Sequence, residues 1–202
     1  LLMINLVKSG VGNLKSITNV LNYLDIKHTE VSKPEEFTET KKIILPGVGS
    51  FDSFIHSLKE RLLFDQIKKL VEYKNYEILG IFVGMQSLFS SSEEGNLKGF
   101  EFIDGYSRKF PNEQNFKIPH MGWNYVNFIR SSKISVSKFK ERYYFANSYY
   151  VDCAKKYHIA ISKHSIDFPS VVKMNNIYGV QFHPEKSYDQ GMKIIKNFCS
   201  YD

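Results

Sequence analysis

Three short stretches of this chain carry residue types whose spacing suits chemistry at one place. In Gln181-Phe182-His183-Pro184-Glu185-Lys186-Ser187 an apolar run gives way to polar residues. Residues two apart in extended backbone point the same way, so His183 and Glu185 share a side. A carboxylate that close can hold an imidazole's tautomer and support its positive form; the plainer alternative is a surface His–Glu contact. Gly80-Ile81-Phe82-Val83-Gly84 has the G-x-nucleophile-x-G spacing of a tight strand-to-helix turn, in which the middle side chain projects above the sheet edge. That middle residue should be Ser or Cys, and Phe82 cannot attack anything. Pro46-Gly47-Val48-Gly49-Ser50 follows another apolar run, and its backbone N–H groups could meet a developing oxyanion. Gly10-x-Gly12 offers a weaker pattern, since a phosphate cradle needs a third glycine and a later acid, and a tight turn explains it as well.

The elements that must position these groups are legible in the periodicity. Leu1–Lys8, Lys27–Val31, Lys41–Leu45 and Glu77–Ile81 read as strands, the last a buried apolar run bounded by Lys74-Asn75 and glycine. Helical spacing follows: Leu14, Ile17, Val20, Leu21 and Leu24 on one face, then Phe51–Leu58 and Leu62–Tyr73, and Met85, Leu88 and Phe89 after the turn. Ser32-Lys33-Pro34-Glu35-Glu36 reads as a further helix start. Four strand–loop–helix units imply a parallel sheet covered on both faces. The second half differs, because Phe100–Phe110, Tyr125–Phe128, Tyr143–Val151, Tyr157–Ser162, Pro169–Met174 and Ile177–Phe182 are short and rich in β-branched and aromatic residues. They read as antiparallel strands, with Asn175-Asn176 as a hairpin turn and Gln190–Phe198 as a closing helix. The expected fold class is therefore α/β, a three-layer αβα arrangement on an open, mostly parallel sheet with antiparallel strands in the second half. With no repeat or linker, residues 1–202 are expected to form a single domain.

Bulk properties narrow the function. The 202 residues carry a net charge of +6, but basic and acidic residues alternate, as in Arg61, Lys68, Lys69 and Glu72. That is a solvated surface rather than a nucleic-acid footprint. Cys153 and Cys199 lie in no CxxC and near no histidine cluster, so neither a metal site nor a cofactor is expected, and two cysteines suit a reducing cytoplasm. No apolar run approaches the ~20 residues of a membrane span, and the N-terminus lacks a basic region before its apolar residues.

Seven ordered blocks then resemble one family. They are Gly10-Val11-Gly12-Asn13-Leu14, Ile44–Phe51, Gly80-x-x-x-Gly84-Met85-Gln86, Glu93-Glu94-Gly95, Pro119–Asn124, Asn147-Ser148-Tyr149-Tyr150 and Gly179–Ser187. At these distances the chain resembles the class I glutamine amidotransferases, which share a flavodoxin-like α/β fold, and among them the glutaminase subunit of the imidazole glycerol phosphate synthases of histidine biosynthesis. The resemblance implies a subunit that hydrolyses glutamine to glutamate through a Cys-His-Glu triad and passes ammonia to a (β/α)₈ barrel synthase in a heterodimer. It implies that His183 is the general acid and base and Glu185 its orienting partner, and that Gly47, Val48 and Gly49 form the oxyanion loop. It places Gln86, Glu94, Ser148 and Tyr149 on glutamine, and Pro119, Met121, Trp123, Asn124 and Lys186 against the barrel. On residue types alone, Pro119–Asn124 reads as a packed turn with a buried Trp.

The chain departs from the family at three places. Phe82 stands where the family has Cys, Lys8-Ser9 where it has Asp-Tyr, and Asn147 where it has His. Losing the nucleophile costs on the order of 10⁶-fold in comparable triads, so hydrolysis is expected to be absent or trace. Ser87, Ser90, Cys153 and Cys199 are too far along the chain to replace it. The alternative to an active glutaminase is a pseudo-glutaminase that supports an ammonia-using synthase, or a paralogue serving another amidotransfer such as surface sugar modification.

Overall fold

A computed structural model describes residues 3–10, 14–135 and 140–200. The chain runs β1 (Met3–Val7), α1 (Leu14–Tyr23), β2 (Lys27–Val31), β3 (Lys42–Gly47), α2 (Phe51–Glu60), α3 (Leu63–Lys74), β4 (Glu77–Phe82) and the single turn α4 (Val83–Gln86). It continues through β5 (Gly105–Lys109), β6 (His120–Phe128), β7 (Lys140–Asn147), β8 (Tyr149–Cys153), β9 (His158–Lys163), β10 (Asp167–Met174), β11 (Ile177–Val180) and α5 (Tyr188–Cys199). Nine strands form one sheet in the order β2-β1-β3-β4-β11-β10-β9-β6-β7, and β5 pairs with β8 in a separate ribbon. Pairing is parallel from β2 to β11 and antiparallel from β11 to β7. This is the α/β architecture expected from the sequence, with the change of strand direction where the composition changes.

Alternation along each central strand sorts its side chains into two cores. Ile4, Leu6, Ile44, Leu79 and Ile81 pack beneath α1 and α5, with Ile17, Leu21, Ile194 and Phe198. Val7, Ile43, Leu45 and Ile78 face the other way, onto Phe54, Leu58, Ile67 and Leu70 of α2 and α3. Burying both faces is what the continuous apolar runs require. The aromatic strands of the second half extend the first core with Tyr143, Phe145, Phe168 and Phe182.

Several expected boundaries move. Pro34–Glu36 is only a 3₁₀ turn, so β2 returns to β3 without an α-helix; Glu36 folds back to accept from the Ser32 N–H and hydroxyl, which ends the turn at once. The helix after the Phe82 turn stops at Gln86, and the Leu88 carbonyl instead accepts from Phe102 and Ile103 N–H groups. Of Phe100–Phe110 only Gly105–Lys109 is strand. The stretch read as one strand over Tyr143–Val151 is two, β7 in the large sheet and β8 in the ribbon, with the break at Ser148. The Asn175-Asn176 turn joins β10 to β11 as expected. Leu1 and Leu2, and the Val11, Gly12 and Asn13 of the Gly10-x-Gly12 pattern, lie outside the described residues.

Candidate functional site

The carboxyl ends of β3, β4 and β11 sit side by side, and the stretches singled out above leave the sheet there, where open α/β sheets place ligands. Phe82 ends β4 with φ +58° and ψ −114°, a strained conformation for a residue with a side chain. Glycines impose it. A Cβ on Gly84 would run into the Leu45 carbonyl oxygen, and one on Gly47 would lie 2.6 Å from the Gly84 nitrogen. The two loops therefore interlock at backbone distance.

His183 and Glu185 form the expected pair. His183 Nδ1 lies 2.8 Å from Glu185 Oε1, and the two side chains are only 6% and 9% exposed. Their turn is stapled to β7. The Ser187 hydroxyl accepts from Tyr144 N–H at 3.0 Å and donates to the His183 carbonyl at 2.6 Å, while His183 N–H donates to the Tyr144 carbonyl at 2.9 Å. The second carboxylate oxygen, Glu185 Oε2, is buried and accepts no hydrogen bond. This arrangement can hold an imidazole in one tautomer and exchange a proton.

Phe82 turns its ring onto that imidazole, with centroids 4.5 Å apart and planes 28° from parallel. The two rings line different cavities. Phe82 lines one of about 290 Å³ together with Gly49, Gln86, Glu94, Pro119, Asn147, Ser148 and Tyr149, whereas His183 and Glu185 line a smaller one of about 150 Å³ with Gly47 and Val48. The residues expected around a glutamine therefore do meet in one cavity. Glu94 Oε2 accepts from the Phe51 N–H at the start of α2, 2.7 Å away. Burial raises the Glu94 carboxyl above its ordinary range, the nearby Asp52 charge adds to the rise, and the Phe51 bond opposes it. Gln86 Nε2 donates to the Tyr149 carbonyl and to Gln181 Oε1. Asn147 Nδ2 also donates to the Tyr149 carbonyl at 2.8 Å. Asn147 was singled out in the sequence only as a departure; its position at the β7–β8 break is what lets it fix the next carbonyl but one.

None of the substitute nucleophiles reaches the turn. The Ser87 hydroxyl is buried and donates to the Gly84 carbonyl, and Ser90 donates to the Gly105 carbonyl. Cys153 stands in the β5–β8 ribbon and Cys199 at the end of α5, each thiol pushed up to about 12 chiefly by burial. Among the described residues no cluster of His, Cys, Asp or Glu has the grouping of a metal site, and no helix is long and apolar enough to cross a membrane.

The Pro119–Asn124 block is not a packed turn with a buried Trp. It enters β6, and alternation puts Met121 (64% exposed), Trp123 (38%) and Tyr125 (49%) on an open face. Trp123 stacks on exposed Tyr188 at 5.4 Å, and Lys186 lies over the Tyr144 ring beside them. Asn124 faces the other way, donating to the Lys163 carbonyl and lying 3.0 Å from His120 Nε2. His120 is sandwiched between His164 and Phe145, and burial lowers its imidazole to about 4, helped by His164 and opposed by Asn147. Neither Tyr188 nor His120 carries a spacing signal; both were legible only once the strands were placed.

A profile described as "Glutamine amidotransferase class-I" matches residues 5–200. The chain is 46% identical over 198 residues to a protein of Methanococcus maripaludis named imidazole glycerol phosphate synthase subunit HisH 2, covering 97% of this chain and 98% of that one. It is 44% identical over 203 residues to the HisH subunit of Leptospira borgpetersenii, covering 98% and 100%. Among solved structures, a glutamine amidotransferase crystal structure superposes with a TM-score of 0.75 at 15% identity, covering 96% of each chain. PurLQS from Thermotoga maritima superposes with a TM-score of 0.74 at 16% identity, covering 97% of this chain and 96% of that one. With its strained turn, His–Glu pair and cavity all at the carboxyl edge of the sheet, this chain belongs to the class I glutamine amidotransferase family.

Proposed function

We propose that this chain is the glutaminase-type subunit of a two-subunit synthase of the imidazole glycerol phosphate synthase kind, and that it does not itself release ammonia from glutamine. The observation that carries the proposal is Phe82 at the strained turn with its ring against His183. Thioester chemistry needs a sulfur where that ring lies, and a phenyl group has no lone pair to offer. The relatives' names, with 97–98% of this chain aligned, support the subunit assignment.

In this reading His183 and Glu185 are the remnant acid–base pair and Gly47, Val48 and Gly49 the remnant oxyanion loop. Gln86, Glu94, Ser148 and Tyr149 line a cavity that still admits an amino acid. Pro119, Met121, Trp123 and Lys186 belong to the side that docks on a (β/α)₈ barrel, with the open Met121–Trp123 face providing the apolar anchor, while Asn124, also expected there, braces β6 from its other face through the Lys163 carbonyl. The partner would then draw on free ammonia, and this subunit would stabilise or regulate it within histidine biosynthesis or a parallel amidotransfer.

Mixing the chain with the barrel protein from the same genome tests both halves. The two should co-elute on a sizing column, and the complex should make product from ammonium but not from glutamine. Separate elution removes the subunit assignment. Glutamate release at the rate of a Cys-bearing relative removes the loss of hydrolysis.

A further inference from the structure

The face of β6 and β7 that carries Trp123 continues past the residues given to the barrel. Strand pairing sets its rows: Met121 opposite Ala146, Trp123 opposite Tyr144, Tyr125 opposite Arg142 and Asn127 opposite Lys140. Residues directly opposite share a face, so the rows form one open surface about 20 Å long at the edge of the nine-stranded sheet. Its character changes along the strands, from apolar at Met121 to cationic at Lys140. Lys140 Nζ lies 4.5 Å from the Tyr125 ring centroid and the Arg142 guanidinium carbon 5.7 Å from it, so two cations are held on one half-exposed ring. Among the described residues neither cation is paired with a carboxylate. The intervening Glu141 alternates to the opposite face, where it accepts from the Tyr143 hydroxyl at 2.7 Å. Two like charges held together without a counter-charge favour an anionic surface against them.

We propose that Tyr125, Lys140 and Arg142 form a cationic extension of the docking face that receives carboxylates of the barrel partner. This rests on the subunit assignment and adds what the partner must carry. Arg142 and Lys140 stand one and two rows beyond Trp123, so the partner needs an acidic pair about 7–14 Å from the pocket that takes the indole. The planar N–H fork of Arg142 suits a carboxylate. Contact with Tyr125 orients both cations before docking, which lowers the ordering cost. A single-stranded nucleic acid would need open aromatic faces for its bases, whereas Trp123 is already stacked on Tyr188 and Tyr125 is covered by Lys140.

The test measures docking of the full chain on the barrel protein from the same genome, by calorimetry and stopped flow at about 50 and about 300 mM salt. Lys140→Glu combined with Arg142→Glu should weaken docking about thirtyfold or more at the lower salt, mostly through a slower on-rate, and less than about fivefold at the higher. Lys140→Gln combined with Arg142→Gln removes the charges without reversing them and should fall between; should the Glu pair fail to fold, the Gln pair decides. Lys69→Glu combined with Lys74→Glu, exposed on α3, makes the same change in net charge and should alter docking less than about threefold. Undiminished docking of the Glu pair, a loss as large at high salt as at low, an equal loss in the α3 control, or displacement of the barrel by oligothymidylate would each overturn this assignment while leaving the subunit assignment standing. Failure of the unmodified chain to dock would remove both.

Discussion

Replacing Phe82 with Cys should convert this chain into a glutaminase. The turn's backbone is held by the Gly47, Gly80 and Gly84 interlock and not by the phenyl ring, so the new thiol inherits φ +58° and projects above the sheet edge. It would replace a ring whose centroid lies 4.5 Å from that of His183, leaving sulfur beside an imidazole already paired to Glu185 at 2.8 Å. In comparable triads the nucleophile alone carries about 10⁶-fold of rate, and binding with the oxyanion loop supplies the rest. Asn147 and Lys8-Ser9 differ from the family pattern, so part of that is expected back: a rise of about 10³- to 10⁶-fold. Removing a fully buried Phe costs about 3–5 kcal/mol, and the half-buried ring here should cost about 1–3 kcal/mol, its stacking on His183 included. Glutamate release from glutamine, measured with the barrel partner present and with a urea melt as control for folding, gives the answer. A folded Phe82→Cys variant that docks on the barrel yet hydrolyses no faster than the unmodified chain would refute the reasoning, because it would mean the remaining walls are no longer arranged for the reaction.

Gly84→Ala should be among the most damaging single changes, since its methyl group meets the Leu45 carbonyl oxygen; denaturant melts should show a loss of about 3 kcal/mol or more. Trp123→Ala should leave stability within about 0.5 kcal/mol, because the ring is half exposed, but should weaken barrel docking about tenfold or more by calorimetry. His120 gives an acid-sensitive contribution of known sign. Its folded value of about 4 lies below the ordinary 6.5, so its stabilisation is complete above that ordinary value and is lost as pH falls towards 4, amounting in the limit to about 3 kcal/mol. A His120→Gln variant should flatten the pH profile of the melt across that interval.

What was legible in the sequence was whatever a short-range pattern can encode. The central strands announced themselves as apolar runs because both of their faces are buried, and the Gly80–Gly84 spacing marked the site because a tight turn is local geometry; His183 and Glu185 do meet, but through a 3₁₀ turn over Pro184–Lys186 and not through the extended backbone expected. What failed was set by distant contacts. Ser32–Glu36 looks like a helix start, but Glu36 turns its carboxylate back onto Ser32, and Phe37 is the single apolar residue before Ile43, too little to propagate a helix. Tyr143–Val151 is aromatic and apolar on both sides of Asn147-Ser148, and nothing in those residue types says that Ser148 switches from one sheet to the other. Trp123 read as buried because tryptophan usually is; only the pairing of β6 with β7 shows which of its faces stays open.

The interlocked glycines also bear on the history of the site. A turn whose shape depended on its central residue would relax when that residue changed. Here the backbone is locked by neighbours that selection must keep for packing alone, because a methyl group on any of them collides with main-chain atoms. A change of side chain at position 82 is thereby kept from spreading into the fold. Phe and Cys codons differ at a single base, so a lineage carrying this chain stands one point mutation from regaining a thiol at the strained turn, and a growth selection requiring glutamine-derived nitrogen should recover that revertant ahead of any other.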